Sequence, residues 1–202
     1  ADKAQGGVLY KHLRCQKKRR KRYAGGRDRR GQIIGRRPIS ERPNHVEKRR
    51  KIGHWEGDTL IGKGHKQAIV SLVERKSGYA VLAKVKNKTA DLVSNAIIDR
   101  LKPLMRKVST LTYDNGKEFA DHASIDHALG SISYFADPYS SWQRGSNENL
   151  NGLIRQYIPK SRPLSTVSDA ELAKIEGLLN NRPRKRLGYK TPHEVFTKSF
   201  NP

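Results

Sequence analysis

Three apolar segments joined by short turns place the strongest constraint on the fold of this chain. They lie at 54–62, 67–75 and 78–85 and read HWEGDTLIG, QAIVSLVER and GYAVLAKV. Apolar and β-branched residues dominate each segment, and short turns that contain Gly or Ser separate them. We therefore predict three consecutive antiparallel strands at the start of a folded core.

Helical and strand patterns alternate in the rest of the chain. From Thr89 to Met105 the apolar residues form one stripe of a helix, which Pro103 should end or kink. The later predicted elements are a strand at 109–113, a helix near 119–129, a strand at 131–136, a helix opened by Glu148 and a helix at 168–181. The order βββαβαβα, with a final helix appended, predicts one α/β domain without internal repeats.

Positive charge is the second constraint, because the 202 residues carry a net charge of +23. Residues 11–37 hold 13 Lys or Arg against one acid, Asp28. The run KKRRKRY (17–23) has no apolar face, so burial cannot order it. We predict a mobile arm that binds phosphate backbone through counterion release, with a solvated tail or a localisation signal as the alternative.

Cysteine and histidine content excludes several kinds of site. Cys15 is the single cysteine, so an intramolecular disulfide is impossible, as are zinc sites that need four cysteines, or two cysteines with two histidines. The seven histidines lack metal-site spacing and are interpreted as ordinary residues. No apolar stretch is long enough to span a membrane, and the first residues do not form a signal peptide. A reducing compartment fits this composition.

Three carboxylates fall at the ends of predicted elements. Asp58 lies in the first strand, Asp114 directly follows the fourth, and Glu148 opens the helix after the fifth. If strands one and four are neighbours, the two aspartates come together, and a helix across that edge adds Glu148. Three carboxylates repel one another unless a cation lies among them, and Mg²⁺ or Mn²⁺ prefers such oxygen ligands. Two such ions ~3.5–4 Å apart would activate a water or a 3′-hydroxyl and stabilise the leaving oxygen of a phosphodiester.

Each of these carboxylates also has a purely structural interpretation. The sequence DNG at 114–116 is a common turn signal, and Asp58 could bond locally at a strand end. Glu148 could stabilise the first turn of a surface helix, which Ser146 or Asn147 would cap.

Two further carboxylates are rival metal ligands. Glu56 lies two residues before Asp58 on the same strand face, and Glu118 lies four residues after Asp114. Spacing alone does not exclude either of them.

Four motifs stand out when the chain is read as a whole. They are HWEGDTLIG, TLTYDNGKEF, SSWQRGSNENLNGLIRQYIPK and LNNRPRKRLGYKTPHEVF. Asp114 and Glu148 are 34 positions apart, and Arg155 follows Glu148 by seven, which matches a D-D-E-K/R pattern. The set resembles the D-D-E transposases of bacterial insertion sequences, most closely the IS-thirty family, over nearly everything from Leu9 to Phe196.

The resemblance implies a ribonuclease-H-like fold, in which a mixed five-stranded sheet is flanked by helices, with a basic N-terminal arm. It also implies that Asp58, Asp114 and Glu148 are the catalytic residues and bind Mg²⁺ or Mn²⁺, with two ions expected. Arg155 would be the basic residue of the signature.

Domain boundaries follow from the charge distribution together with the resemblance. Residues 36–53 contain Pro38, Pro43 and few apolar residues, which is typical of an extended linker or edge segment. We expect 1–53 to be the basic arm and linker, the tail of a missing N-terminal DNA-binding region, and 54–202 to be the DDE integrase-type catalytic core. The absence of Met at position 1 suggests a fragment of a longer protein.

Taken with the resemblance, the sequence predicts a transposase fragment, which would cleave DNA at the ends of an insertion sequence and join the freed 3′-hydroxyl to target DNA. The alternatives are a structure-selective nuclease of the same fold and a non-catalytic nucleic-acid-binding protein. Coordinated action on two ends implies a homodimer or a larger assembly, in the bacterial cytoplasm at the nucleoid. The predicted DNA contacts are Arg155, Arg144, Lys160, Arg162, Lys117, Lys17, Lys18, Arg19 and Arg20.

Overall fold

The structure, a computed structural model, describes residues 5–9, 33–64, 66–138 and 140–198. The chain divides into two compact units, Ala1–Gly31 and Gln32–Pro202, and the sheet and its flanking α-helices lie within the second. The predicted DNA contacts of the basic arm lie outside the described residues: Lys17, Lys18, Arg19 and Arg20.

The sheet has five strands, each of which coincides with a predicted apolar segment to within a few residues. In chain order they are β1 (His54–Ile61), β2 (Ala68–Glu74), β3 (Ala80–Val85), β4 (Thr110–Tyr113) and β5 (Ile132–Phe135). Their order across the sheet is β3-β2-β1-β4-β5. The β1–β2 and β2–β3 pairs are antiparallel, whereas β1–β4 and β4–β5 are parallel. The predicted mixed five-stranded sheet is confirmed, with strands one and four as neighbours.

Helices cover both faces of this sheet. Within the described residues they are α1 (Ala90–Leu101), α2 (His122–Leu129), α3 (Gly145–Tyr157), α4 (Asp169–Asn180) and α5 (Pro192–Lys198). After α1 the chain continues as a 3-10 helix, Lys102–Lys107, which contains Pro103 near its start, so the predicted end of the helix is confirmed. The sequence did not predict α5.

Alternation along the strands divides the buried residues into two cores. On one face Trp55, Leu72 and Leu111 pack with residues of α1 and α2. On the other face Leu60 and Ile69 pack with residues of α3 and α4. Successive side chains of a strand point to opposite faces, so even-numbered β1 residues face α3.

Residues 33–53 pack in the same compact unit as the sheet. Pro38 forms a parallel bridge with Phe135, and the Phe135 N–H donates to the Arg37 carbonyl at 2.8 Å. Val46 and Arg42 are buried. The segment therefore extends the β5 edge of the sheet. Within the described part of the chain, no helix combines the length and the apolar character needed to cross a bilayer.

Candidate active site

Asp58 and Asp114 lie at the same level on neighbouring strands. The parallel register pairs His54 with Thr110 and Glu56 with Thr112, and the same offset carries Asp58 to Asp114. Both aspartates have even numbers, as do the β1 residues whose side chains face α3. The predicted convergence of the two aspartates therefore follows directly from the pairing of β1 with β4.

A single guanidinium lies between these two carboxylates. Arg144 Nη1 is 3.6 Å from Asp58 Oδ2, and Arg144 Nη2 is 3.4 Å from Asp114 Oδ2. Nη1 also donates to the Gly57 carbonyl at 3.1 Å, and only 8% of the Arg144 surface is exposed. Arg144 was predicted to contact DNA. In this structure it is the counter-cation of the aspartate pair.

Asp58 is the more enclosed of the two aspartates. Burial raises the pKa of its carboxyl, the Arg144 charge acts in the opposite direction, and Asp114 raises the pKa again. The Thr59 N–H donates to Oδ1 at 2.8 Å. A carboxylate with so little access to water is stabilised by a nearby cation more strongly than one in solution.

Asn151 on α3 fixes the other oxygen of Asp58. Its Nδ2 donates to Asp58 Oδ2 at 2.9 Å, while its Oδ1 accepts from Ser71 Oγ at 2.8 Å. The second bond sets the orientation of the amide, so that its N–H₂ group is directed at the carboxylate. Asn151 was not among the residues predicted from the sequence. Its position three residues after Glu148, on the same helix face, was the available signal.

Glu148 lies in the first turn of α3 and its side chain is exposed. Asn151, one turn further along the same face, contacts Asp58, so Glu148 is presented on the side of the helix that the aspartates occupy. Across the described ranges, no group of three His, Cys, Asp or Glu residues has the spacing to hold a metal ion. The three-carboxylate metal site therefore stays a prediction.

The N-terminus of α3 is held by Glu56. The helix begins at Gly145 without a capping side chain, so the predicted cap by Ser146 or Asn147 is wrong. The buried Glu56 carboxylate accepts the Asn147 N–H at 2.9 Å, and Arg75 Nη1 lies 3.1 Å from its Oε1. Glu56 of β1 therefore binds a first-turn amide of α3 that a side chain of the helix itself was expected to bind.

Glu118, the second rival ligand, is buried beside Asp58. It accepts from Thr59 Oγ1 at 2.9 Å and pairs with Lys88 Nζ at 2.6 Å. Each rival carboxylate is therefore bound to a protein cation, Arg75 for Glu56 and Lys88 for Glu118.

The predicted DNA contacts differ in their surroundings. Arg155 is half-buried, and its Nη2 donates to the Ile61 carbonyl at 2.8 Å, which ties α3 to the end of β1. Burial lowers the Arg155 pKa. Arg162 forms two bonds with Glu171, at 2.6 and 2.9 Å, so part of its charge is offset. Lys117 and Lys160 are exposed.

Comparison with known proteins bears on this arrangement of carboxylates. The chain is 46% identical over 200 residues to the transposase for insertion sequence element IS4351 of Bacteroides fragilis, covering 99% of this chain and 61% of that protein. It is 42% identical over 165 residues to the transposase InsI for insertion sequence element IS30A of Escherichia coli K12, covering 81% of this chain and 43% of the relative. The chain is related to the IS-thirty transposases. It spans about half the length of the curated relatives it matches, and no family model matches it.

Solved structures agree with this relationship. The catalytic core domain of BIV integrase superposes with a TM-score of 0.54 at 25% identity, over 72% of this chain and 94% of that domain. The intasome of simian T-cell lymphotropic virus, solved with PP2A regulatory subunit B56 gamma, gives a TM-score of 0.59 at 19% identity, over 75% of this chain and 55% of the matched chain. This relative of the IS-thirty transposases therefore has the ribonuclease-H-like fold of integrase catalytic cores.

Proposed function

We propose that this chain is the catalytic part of a DNA transposase, which cleaves a phosphodiester at the ends of an insertion sequence and joins the freed 3′-hydroxyl to target DNA. The convergence of Asp58 and Asp114 on one cation, under the helix that carries Glu148, is the observation that carries the proposal. The named activity of the relatives supports it.

The residues present fit a divalent cation. Asp58 and Asp114 already direct oxygens at a positive charge, and hard oxygen donors of this kind suit Mg²⁺ or Mn²⁺. Asp58, Asp114 and Glu148 would hold the metal, with two ions as the expected number. When bound, the ions would activate a water or a 3′-hydroxyl and stabilise the leaving oxygen of the phosphodiester.

The chain's own residues prepare this site for an anionic substrate. Asn151 orients the Asp58 carboxylate, and Glu56 holds the first turn of α3, from which Glu148 projects. Arg144 supplies a buried cation beside the two aspartates, which we propose also attracts a DNA phosphate. Arg155, Lys117, Lys160 and Arg162 remain proposed contacts for the DNA backbone.

The partners follow from the reaction. Two element ends must be brought together, so we propose a homodimer or a larger assembly on DNA. Because the relatives belong to bacterial insertion sequences, we place the protein in the bacterial cytoplasm, at the nucleoid. We propose that 54–202 form the catalytic core and that 1–53 hold the basic arm and linker, of which 33–53 pack with the core at the β5 edge.

An assay of products distinguishes this function from its alternatives. Labelled duplexes that carry the ends of the flanking element are incubated with the protein and Mg²⁺. Joined strands are expected; hydrolysis alone would instead indicate a structure-selective nuclease, and binding alone a non-catalytic DNA-binding protein. In matched reactions, Asp58→Asn, Asp114→Asn and Glu148→Gln should each abolish cleavage and joining while DNA binding survives. Full activity in Glu148→Gln would transfer its role to Glu56 or Glu118.

A further inference from the structure

A basic pocket lies on the side of α3 away from Asn151. The pocket has a volume of about 350 Å³. Of the described residues that line it, four are cations, namely Arg49, Arg184, Lys185 and Arg186, and none is an acid. Its wall includes Gly145 and Ser146 at the start of α3. The positive charge of the pocket comes from these side chains, because the Glu56 carboxylate already accepts the Asn147 N–H in the first turn of α3.

Two of the three guanidinium groups of this pocket are held in place by backbone carbonyls. Arg184 Nη2 donates to the Leu179 carbonyl at 3.1 Å, and Arg186 Nη1 donates to the Lys76 carbonyl at 2.9 Å. Each guanidinium keeps further N–H groups available for an anion. Because their positions are already fixed, binding an anion would cost little side-chain entropy.

The cations are crowded, which raises the free energy of the pocket when no anion is present. Burial lowers the pKa of Arg186, and the Arg49 charge lowers it further. Glu74 acts in the opposite direction, but it is buried and already accepts from Ser77 N at 2.7 Å and Ser77 Oγ at 2.6 Å. Arg49 also has a φ of 49°, in the left-handed region that non-glycine residues rarely adopt. An anion in the pocket would relieve this repulsion.

The strand register gives the separation of this pocket from Asp58 along β1. Val73 and Gly78 line the pocket near the turn between β2 and β3, and Val73 pairs with Glu56 of β1. Asp58 lies two residues further along this strand, or about 7 Å at ~3.3 Å per residue. With an axial rise of ~3.4 Å per nucleotide on one DNA strand, a separation of this order places the pocket within a few nucleotides of the aspartates.

We propose that the basic pocket binds a backbone phosphate of the DNA, within a few nucleotides of the phosphodiester that is cleaved at Asp58 and Asp114. The proposal rests on the function proposed above, because it takes DNA as the substrate. The phosphate contact adds affinity and orients the duplex, and it reads no base.

Salt-dependent binding tests the proposal. Arg49→Gln/Lys185→Gln removes two exposed pocket cations without touching the guanidiniums that hold the neighbouring loops. Lys102→Gln/Arg106→Gln is the matched control, since it removes two exposed cations after α1, on the opposite face of the sheet. Equilibrium binding of a labelled duplex is measured at several salt concentrations, and thermal melting checks that each variant is folded. The pocket variant should lose about 0.9 from the magnitude of the salt slope, and the control should lose less.

A neutral phosphate analogue locates the contact. Single methylphosphonates are placed along a duplex whose cleaved bond has been mapped. Substitution at one position within a few nucleotides of that bond should weaken binding by the unmodified protein but not weaken binding by the pocket variant any further. Two results would contradict the proposed phosphate contact and leave the proposed function intact. One is an equal salt slope for the pocket variant and the unmodified protein, and the other is an equal loss of slope in the pocket and control variants. Failure of the unmodified chain to bind any duplex would overturn both.

Discussion

At the scale of single residues, the ionisation of Asp58 depends on three neighbouring residues. Thr59 and Asn151 each donate a hydrogen bond to its carboxylate, and the Arg144 guanidinium lies 3.6 Å away, in a place where burial raises the pKa of Asp58. Opposite charge at close range favours the ionised form, and desolvation disfavours it. The ionised Asp58 thus relies on a cation, which the protein supplies from Arg144.

Removing that cation should make the aspartate pair a better metal site. We expect Arg144→Gln to bind Mn²⁺ more tightly than the unmodified protein in the absence of DNA, because no guanidinium then competes for Asp58 and Asp114. Electron paramagnetic resonance of free Mn²⁺ measures the Kd without any activity assay. Arg162→Gln, which removes a charge paired with Glu171, is the control and should leave the Kd unchanged. An equal or weaker Kd in Arg144→Gln would show that Arg144 does not compete with the metal.

At the scale of elements, α3 is placed by contacts from β1 at both of its ends. Glu56 accepts the Asn147 N–H at the start of the helix, and Arg155 donates to the Ile61 carbonyl near its end. The helix that carries Glu148 and Asn151 is therefore fixed to the strand that carries Asp58. We call these two contacts the anchors of α3, and we expect the loss of either one to shift Glu148 and Asn151 relative to Asp58.

Glu56→Ala tests the first anchor. We expect it to lower the free energy of unfolding by about 3 kcal/mol, because the buried Arg75 loses one of its carboxylates. Hydrogen exchange at the Asn147 amide should speed up, and Glu56→Gln, which keeps an acceptor, should show a smaller effect. Urea denaturation and exchange measured by NMR give the two readouts, with Glu41→Ala on an exposed turn as the control. Unchanged stability and exchange in Glu56→Ala would rule out the anchoring role.

The absence of a side chain at Gly57 allows β1 to lie close to the ring of Tyr113 in the core. A Cβ at this position would lie 2.5 Å from the ring of Tyr113, which is fully buried and stacked on Phe119. We expect Gly57→Ala to destabilise the fold by about 1–3 kcal/mol, since the ring has little space in which to move. Thermal or urea unfolding measures this. Gly177→Ala, where a Cβ meets nothing within 4 Å inside α4, should instead be neutral or stabilising, and equal losses in both variants would contradict the steric explanation.

Much of the molecule as a whole could be predicted from local patterns. Apolar runs predicted the five strands, Pro103 predicted the end of α1, and the neighbouring strands brought Asp58 and Asp114 together. The short α5 was missed because seven residues give too little periodicity to recognise.

The cap of α3 and the roles of Arg144 and Asn151 were missed for a different reason. Each depends on partners far away in the sequence, such as Glu56 and Asp58, which only the folded chain brings close. Local spacing places Asn151 on the helix face of Glu148, but it does not identify the distant partner that each side chain contacts.

Charge is a property of the whole chain, and it predicts how the protein should bind DNA. Replacing Lys17, Lys18, Arg19 and Arg20 with Gln removes four of the 13 cations in residues 11–37. We expect weaker binding to every duplex regardless of sequence, and a salt slope reduced in magnitude by up to about 3–4, because each phosphate contact releases counterions. Fluorescence anisotropy at several salt concentrations measures the slope. A variant with the order of residues 17–22 scrambled keeps the charge and should bind like the unmodified protein. If the Gln variant keeps the original slope, residues 17–20 do not contact the phosphate backbone, and the DNA affinity resides in other parts of the chain.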